Sequence, residues 1–147
     1  MTVRVERVVD VPVSPERVWE FISTPENRAR AVSVVTDYEL TDETGREATW
    51  HVQLPIPLLD RAVRVATEDV ERRPPEYVRF IGRSKVFDVT GEHEIATTDE
   101  GSRLTNRFVV DGRLPGVERF FERNLDRELG NLEQSLRADV DADGSDA

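Results

Sequence analysis

Residues 3–31, VRVERVVDVPVSPERVWEFISTPENRARA, hold the reading that decides the fold. Valines at 3, 5, 9, 11 and 13 recur with a period of two, broken only at Arg7, as in a strand with one buried face. Ser14-Pro15-Glu16 then supplies an N-cap, a proline at the first helical position and an acid in the first turn. A helix opens there, and Val18, Phe21 and Ile22 give it one apolar face. Thr24-Pro25-Glu26 repeats the start signal at once, so the first helix must end and a second short one run to about Ala31. The segment predicts one strand followed by two short helices.

Beyond it, from residue 34 to residue 111, apolar and polar residues alternate between turn signals, the pattern of successive antiparallel strands. Six strands are expected, over 34–40, 48–54, 61–71, 77–81, 86–96 and 103–110, the last two joined as a hairpin around Asp99-Glu100-Gly101. With the first strand this makes seven. After Asp111-Gly112 comes one strongly periodic helix, from Pro115 to about Ala138, or roughly 35 Å at 1.5 Å per residue. Val117, Phe121, Leu125, Leu129, Leu132 and Leu136 form its apolar stripe, with Phe120 beside it. Residues 139–147 are acidic and small, so they are expected to be a disordered tail after a single domain over 1–138. Asp139 to Gly144 matches the opening of a calcium-binding EF-hand loop, but the twelfth-position glutamate is missing and a solvated tail is expected instead.

The 147 residues bound the chain to one domain, and with no cysteine it has no disulfide, no thiolate zinc site and no thiol nucleophile. Its apolar runs are only a few residues long, so no membrane span or signal peptide is expected and a cytoplasmic address is the default. A net charge of −10 argues against nucleic acid, anionic membrane surfaces and acidic substrates. The cations are nineteen arginines and one lysine, Lys85. Such an acidic chain stays soluble in a salt-adapted cytoplasm, where screening damps self-repulsion. The competing reading is that a GC-rich genome chose arginine codons and the acidity is incidental.

The order strand, two short helices, six strands, long helix resembles the START-like superfamily, also called the SRPBCC or helix-grip fold. That superfamily includes polyketide cyclases, lipid-transfer domains and plant pathogenesis-related proteins. The carriers are VVDVPVSPERVWEFIS at 8–23, PPEYVRF at 74–80, GSRLTNRF at 101–108 and the final helix, so the resemblance covers residues 2 to about 138. The stretch from Ala48 through Gly91, followed by EHEI and GSRLT, looks most like the carbon monoxide dehydrogenase G-like group and generic cyclase/dehydrase relatives. The resemblance implies an α+β fold in which a seven-stranded curved antiparallel sheet wraps the long C-terminal helix. It also implies a cavity between them for an apolar small molecule. A curved sheet and a straight helix cannot close-pack along their whole length, which leaves a gap on the order of a few hundred Å³.

Alternation says which side chains face that gap. Ala48, Trp50, Val52 and Leu54 share a face, as do Phe87, Val89, Gly91, His93 and Ile95. Leu104, Asn106, Phe108 and Val110 form a third set, and Val34, Thr36, Tyr38 and Leu40 a fourth. On the helix, Asn124 and Glu128 fall within the sector of the apolar stripe near Phe121. The candidate ligand contacts are therefore Tyr38, Trp50, His93, Asn106, Phe108, Phe121, Asn124 and Glu128, because a polar group facing an apolar cavity must be satisfied by something. Five of them have a plainer alternative: His93 as a core histidine bonded to a carbonyl, Asn106 bonding across the sheet, Tyr38 and Glu128 reaching water, and Trp50 as wall.

His51 alternates with Trp50 while His93 is in phase with Phe87, so the two histidines should face opposite ways and build neither an iron nor a zinc site. No nucleophile elbow, phosphate loop or dinucleotide fingerprint is present, and no cofactor or metal is expected. The leading function is non-enzymatic binding or transport of a lipid, isoprenoid or polyketide-like molecule. One alternative is a cyclase or dehydratase using His93 with Glu128 as acid or base, although no family catalytic motif maps onto them. Another, which the carbon monoxide dehydrogenase resemblance implies, is an accessory protein for maturation of a cofactor-containing enzyme. The loop Pro55–Asp60, with Ile56, Leu58 and Leu59, is apolar for a connection. It reads as a lid, as a contact for a protein partner or second copy, or as residues tucked against the core.

Overall fold

The computed structural model describes residues 2–43, 46–56, 61–114 and 116–145. The elements run β1 (Thr2–Val11), α1 (Pro15–Ile22), α2 (Pro25–Ala31), β2 (Val35–Leu40), β3 (Glu47–Val52), β4 (Val63–Arg73), β5 (Tyr77–Arg83), β6 (Phe87–Thr98), β7 (Gly101–Gly112) and α3 (Val117–Ser145). The strands form one antiparallel sheet in the order β1-β7-β6-β5-β4-β3-β2. Strands β2 to β7 are thus a meander of sequence neighbours, and β1 returns to pair with β7, Val5 opposite Phe108. The α+β helix-grip architecture of the sequence reading is present.

Local chemistry places the two short helices. Ser14 caps α1, its Oγ accepting from the Arg17 amide at 3.3 Å, and Pro15 follows at the first turn. Thr24 was expected to cap α2 in the same way, but its hydroxyl donates to the Glu20 carbonyl at 2.9 Å and closes α1 instead. The two helices therefore meet with no spacer, and α1 lays Val18, Phe21 and Ile22 on one end of the core.

Two irregularities bend the sheet, between Asp69 and Glu71 in β4 and between Val35 and Asp37 in β2. The second corrects the expected face of β2. Val34, Thr36, Tyr38 and Leu40 do not all point inward: Leu40 is 45% exposed, while the adjacent Val34 and Val35, just before the irregularity, both reach the interior. In the middle of the sheet Gly91 lies between Phe80 and Phe108 in register. The Phe80 ring lies across it so closely that a Cβ at position 91 would sit 2.1 Å from Cε1. Only glycine lets that ring lie flat on the sheet.

The long helix is longer than expected. Residues 139–145, read as part of a disordered tail after a boundary at 138, continue α3 to Ser145. Val140 falls four residues after Leu136 and is buried with it, and Arg17 Nη2 pairs with Asp139 Oδ2 at 2.6 Å. These two contacts outweigh the polar composition, and the calcium-loop look-alike Asp139–Gly144 lies in the helix rather than in a loop. One core cluster gathers Trp50, Phe80, Phe87 and Phe108 against Phe121, Leu125 and Leu129 of α3. A second packs α1 and strand ends against Leu132, Leu136 and Val140. Each leucine so buried contributes about 1.5–3 kcal/mol, which is what docks the helix on the sheet. Among the described residues, no helix is long and apolar enough to cross a membrane.

Candidate functional site

Between the concave face of the sheet and α3 lies an enclosed apolar space. Its sheet wall is Trp50 and Val52 of β3, Val65 of β4, Phe87 and Val89 of β6, and Phe108 and Val110 of β7. Phe121, Leu125, Glu128, Leu129 and Leu132 of α3 form the opposite wall. Arg28 of α2 and the valines 32, 34 and 35 close the end. Those three valines are half-buried and every other lining residue is buried, so the space approaches solvent at the α2–β2 link. Its volume is about 40 Å³, far below the roughly 300–1,000 Å³ of a pocket enclosing a drug-sized ligand. The expectation of a ready-made gap of a few hundred Å³ is corrected: large aromatics project from both layers and fill most of the misfit between curved sheet and straight helix.

The link is tied down by one residue. Ser33 donates through its amide to Glu128 Oε2 at 2.7 Å and through its hydroxyl to Oε1, and Asn131 adds a longer bond to Oε2. Glu128 is only 3% exposed. It was expected as a ligand contact, and it does line the cavity, but its carboxylate is already occupied with holding the α2–β2 link against α3.

The most unusual group is Arg28, 3% exposed. Its Nη2 donates to Asp69 Oδ1 at 2.6 Å, and Asp69 Oδ2 accepts from Arg72 Nη2 at 2.7 Å and Nε at 2.9 Å. The guanidinium lies over the Phe80 ring, 5.0 Å from its centroid. Nε and Nη1 have no hydrogen-bond partner among the described residues. Burial pulls the Arg28 pKa below its ordinary value and the Asp69 charge pulls it back, although an arginine stays cationic.

His93 and Asn106 face each other on β6 and β7, His93 Nδ1 lying 2.7 Å from Asn106 Oδ1. With the amide oxygen as acceptor, Nδ1 carries the proton and Nε2 is a bare acceptor, so the tautomer follows from the amide assignment. His93 Nε2 and Asn106 Nδ2 have no partner among the described residues. Complete burial, followed by the nearby Arg28 charge, lowers the His93 pKa to about 3, so the ring is neutral. Neither residue lines the cavity: His93 stacks on Phe80 at 6.0 Å and meets Phe108 edge-on at 5.9 Å.

Of the other expected contacts, Trp50, Phe108 and Phe121 line the space, and Trp50 Nε1 is a further buried donor without a partner among the described residues. Tyr38 packs at the rim with its hydroxyl 3.3 Å from Glu26 Oε2. Asn124 spends its amide on the Phe120 carbonyl at 2.8 Å and lies outside the lining. His51 is half-buried on the face opposite Trp50. Residues 57–60, the main part of the expected lid or interface loop, lie outside the described residues, while Ile56 packs against the core. Arg28 was missed by the sequence reading. The one available signal was Asp69, which is in phase with the buried Val65 and Thr67 on β4 and therefore had to face inward and find a cation.

Residues 2–137 match the family described as polyketide cyclase / dehydrase and lipid transport. That match is to the broad family and does not single out the carbon monoxide dehydrogenase group. No curated protein sequence gives a significant match. Among solved structures, the Zhui aromatase/cyclase from Streptomyces sp. R1128 superposes with a TM-score of 0.75 at 14% identity, over 96% of this chain and 94% of that one. A START superfamily protein from Mycobacterium smegmatis gives 0.74 at 14% identity, over 95% and 97%. A protein from Thermus thermophilus gives 0.68 at 21% identity, over 94% and 98%. At such identities the likeness is one of fold.

Proposed function

The chain belongs to the polyketide cyclase / dehydrase and lipid transport family, and from that premise we propose that it binds an apolar small molecule between its sheet and α3. The observation that supports this most directly is the composition of the wall. Apolar side chains from five strands and one helix surround a space whose polar lining groups are few, and two of the lining residues, Arg28 and Trp50, bear unspent donors. Entry requires widening, since a space of about 40 Å³ admits water and little else. The α2–β2 link is the element to move: β2 is a sheet edge, and the link is fastened to α3 through Ser33 and Glu128.

Titration with the neutral fluorophore N-phenyl-1-naphthylamine tests the reading. We expect saturable one-site binding that Val34→Trp, which plugs the rim at a half-buried position, abolishes without unfolding the protein. Absence of binding to the wild-type chain, or full binding to the plugged variant, would overturn it.

A cyclase or dehydratase acting through His93 is the second reading, and the geometry favours it less. The ring is neutral with a pKa of about 3 and sits behind Phe80 and Phe108 rather than on the cavity. A general base works best with a pKa near the operating pH.

A further inference from the structure

The buried polar groups around the cavity are unevenly matched. Arg28 Nε, Arg28 Nη1 and Trp50 Nε1 are buried donors without a partner among the described residues; both residues belong to the wall of the space, whose open surface is almost wholly apolar, so these N–H groups are reached only when the space widens. Asp69 divides its carboxylate between Arg28 and Arg72, so Arg28 has only a share of one counter-charge. Glu128, the acid on the facing helix, forms no ion pair with Arg28, its oxygens accepting from Ser33 and Asn131. A buried cation with unspent N–H groups is costly unless an acceptor completes it. An apolar ligand with a neutral, acceptor-free end would leave the deficit standing, and a cationic one would add repulsion.

We propose that the ligand of this cavity is an amphiphile whose carboxylate docks on Arg28, with its apolar body lying between the sheet and α3. This deepens the cavity-binding reading and rests on it. Trp50, whose ring lies 5.8 Å from Phe80 while Arg28 covers the same Phe80 ring, brings a second donor to the neighbourhood of the head group. The ligand charge completes the half-shared guanidinium, an interaction of the strong, charge-assisted kind.

The test displaces N-phenyl-1-naphthylamine with dodecanoate and with methyl dodecanoate, which share a chain and differ in charge. Wild-type protein should take up dodecanoate about tenfold more tightly than the ester. With a net charge of −10 the surface repels anions, so the preference must arise at a local cation. In Arg28→Met the ratio of the two affinities should fall to about one, whatever the fluorophore's own affinity for the variant. Equal displacement from the wild type, or a preference that survives in Arg28→Met, overturns the assignment. Failure of the fluorophore to bind wild-type protein counts against the cavity itself, a separate result. Should Arg28→Met not fold, the Nε–H resonance of Arg28 in ¹⁵N-labelled wild-type protein decides. It should shift with dodecanoate and not with the ester, and a resonance that dodecanoate leaves unmoved overturns the proposal.

Discussion

Arg28 and Asp69, 41 residues apart in sequence, meet at 2.6 Å with side chains 3% and 2% exposed. The pair joins the second short helix to the middle strands, and its two members are not equivalent. Removing Arg28 leaves Asp69 paired with Arg72, whereas removing Asp69 leaves Arg28 with no ion-pair partner among the described residues.

Asp69→Ala should therefore destabilise the fold by about 3–5 kcal/mol, the cost of an uncompensated buried charge, and Arg28→Met by distinctly less. Urea denaturation of the two variants gives the comparison. An equal or reversed order would show that Arg72 does not keep Asp69 satisfied once Arg28 is gone.

His93 sets an acid limit on stability. Its folded pKa of about 3 lies below the ordinary 6.5, so between those values the unfolded chain holds a proton that the native state does not. Stability from this residue is complete above pH 6.5 and falls as pH drops toward 3, by up to about 1.4 kcal/mol per pH unit. His93→Leu should cost stability at pH 7, because Asn106 Oδ1 loses its donor, and should flatten the decline between about pH 6 and 4. Thermal unfolding across that range checks it, and an unchanged slope would assign the acid limb to other groups.

The Ser33 bonds to Glu128 should govern access to the cavity. Ser33→Ala removes the hydroxyl bond and keeps the amide bond, so stopped-flow binding of N-phenyl-1-naphthylamine should speed up by about tenfold or more, given roughly 1.5–3 kcal/mol for a hydrogen bond to a charged group. Identical association rates would place the entrance elsewhere.

Gly91→Ala should cost about 1–3 kcal/mol through overpacking, since the added methyl meets the face of Phe80. Phe80→Leu in the same chain should recover part of that loss, and calorimetry of the single and double variants would reveal the coupling. Additive losses would mean that the ring does not depend on the glycine.

Much of the architecture was legible because it is written in short-range periodicity. The valine alternation of β1, the Ser14-Pro15-Glu16 start and the stripe from Val117 to Leu136 each need only neighbouring residues to be read. The face containing Trp50 and that containing Phe108 followed from strand parity alone, and both residues line the cavity. Parity failed at β2, where an irregularity between Val35 and Asp37 changes the phase and exposes Leu40. The end of α3 failed for a different reason: the acidic composition after Ala138 argued for disorder, and the burial of Val140 with the Arg17–Asp139 pair overrode it.

The sequence by itself determined the order and type of the elements and which residues could face inward, because backbone sterics and side-chain parity act over a few residues. Only the tertiary structure decided which of those inward groups meet. Arg28 finds Asp69, His93 is sealed behind two phenylalanines, Glu128 is occupied by Ser33, and aromatic bulk from two layers leaves only a small void. Such outcomes depend on where distant segments are brought together, a three-dimensional relation that no local pattern encodes.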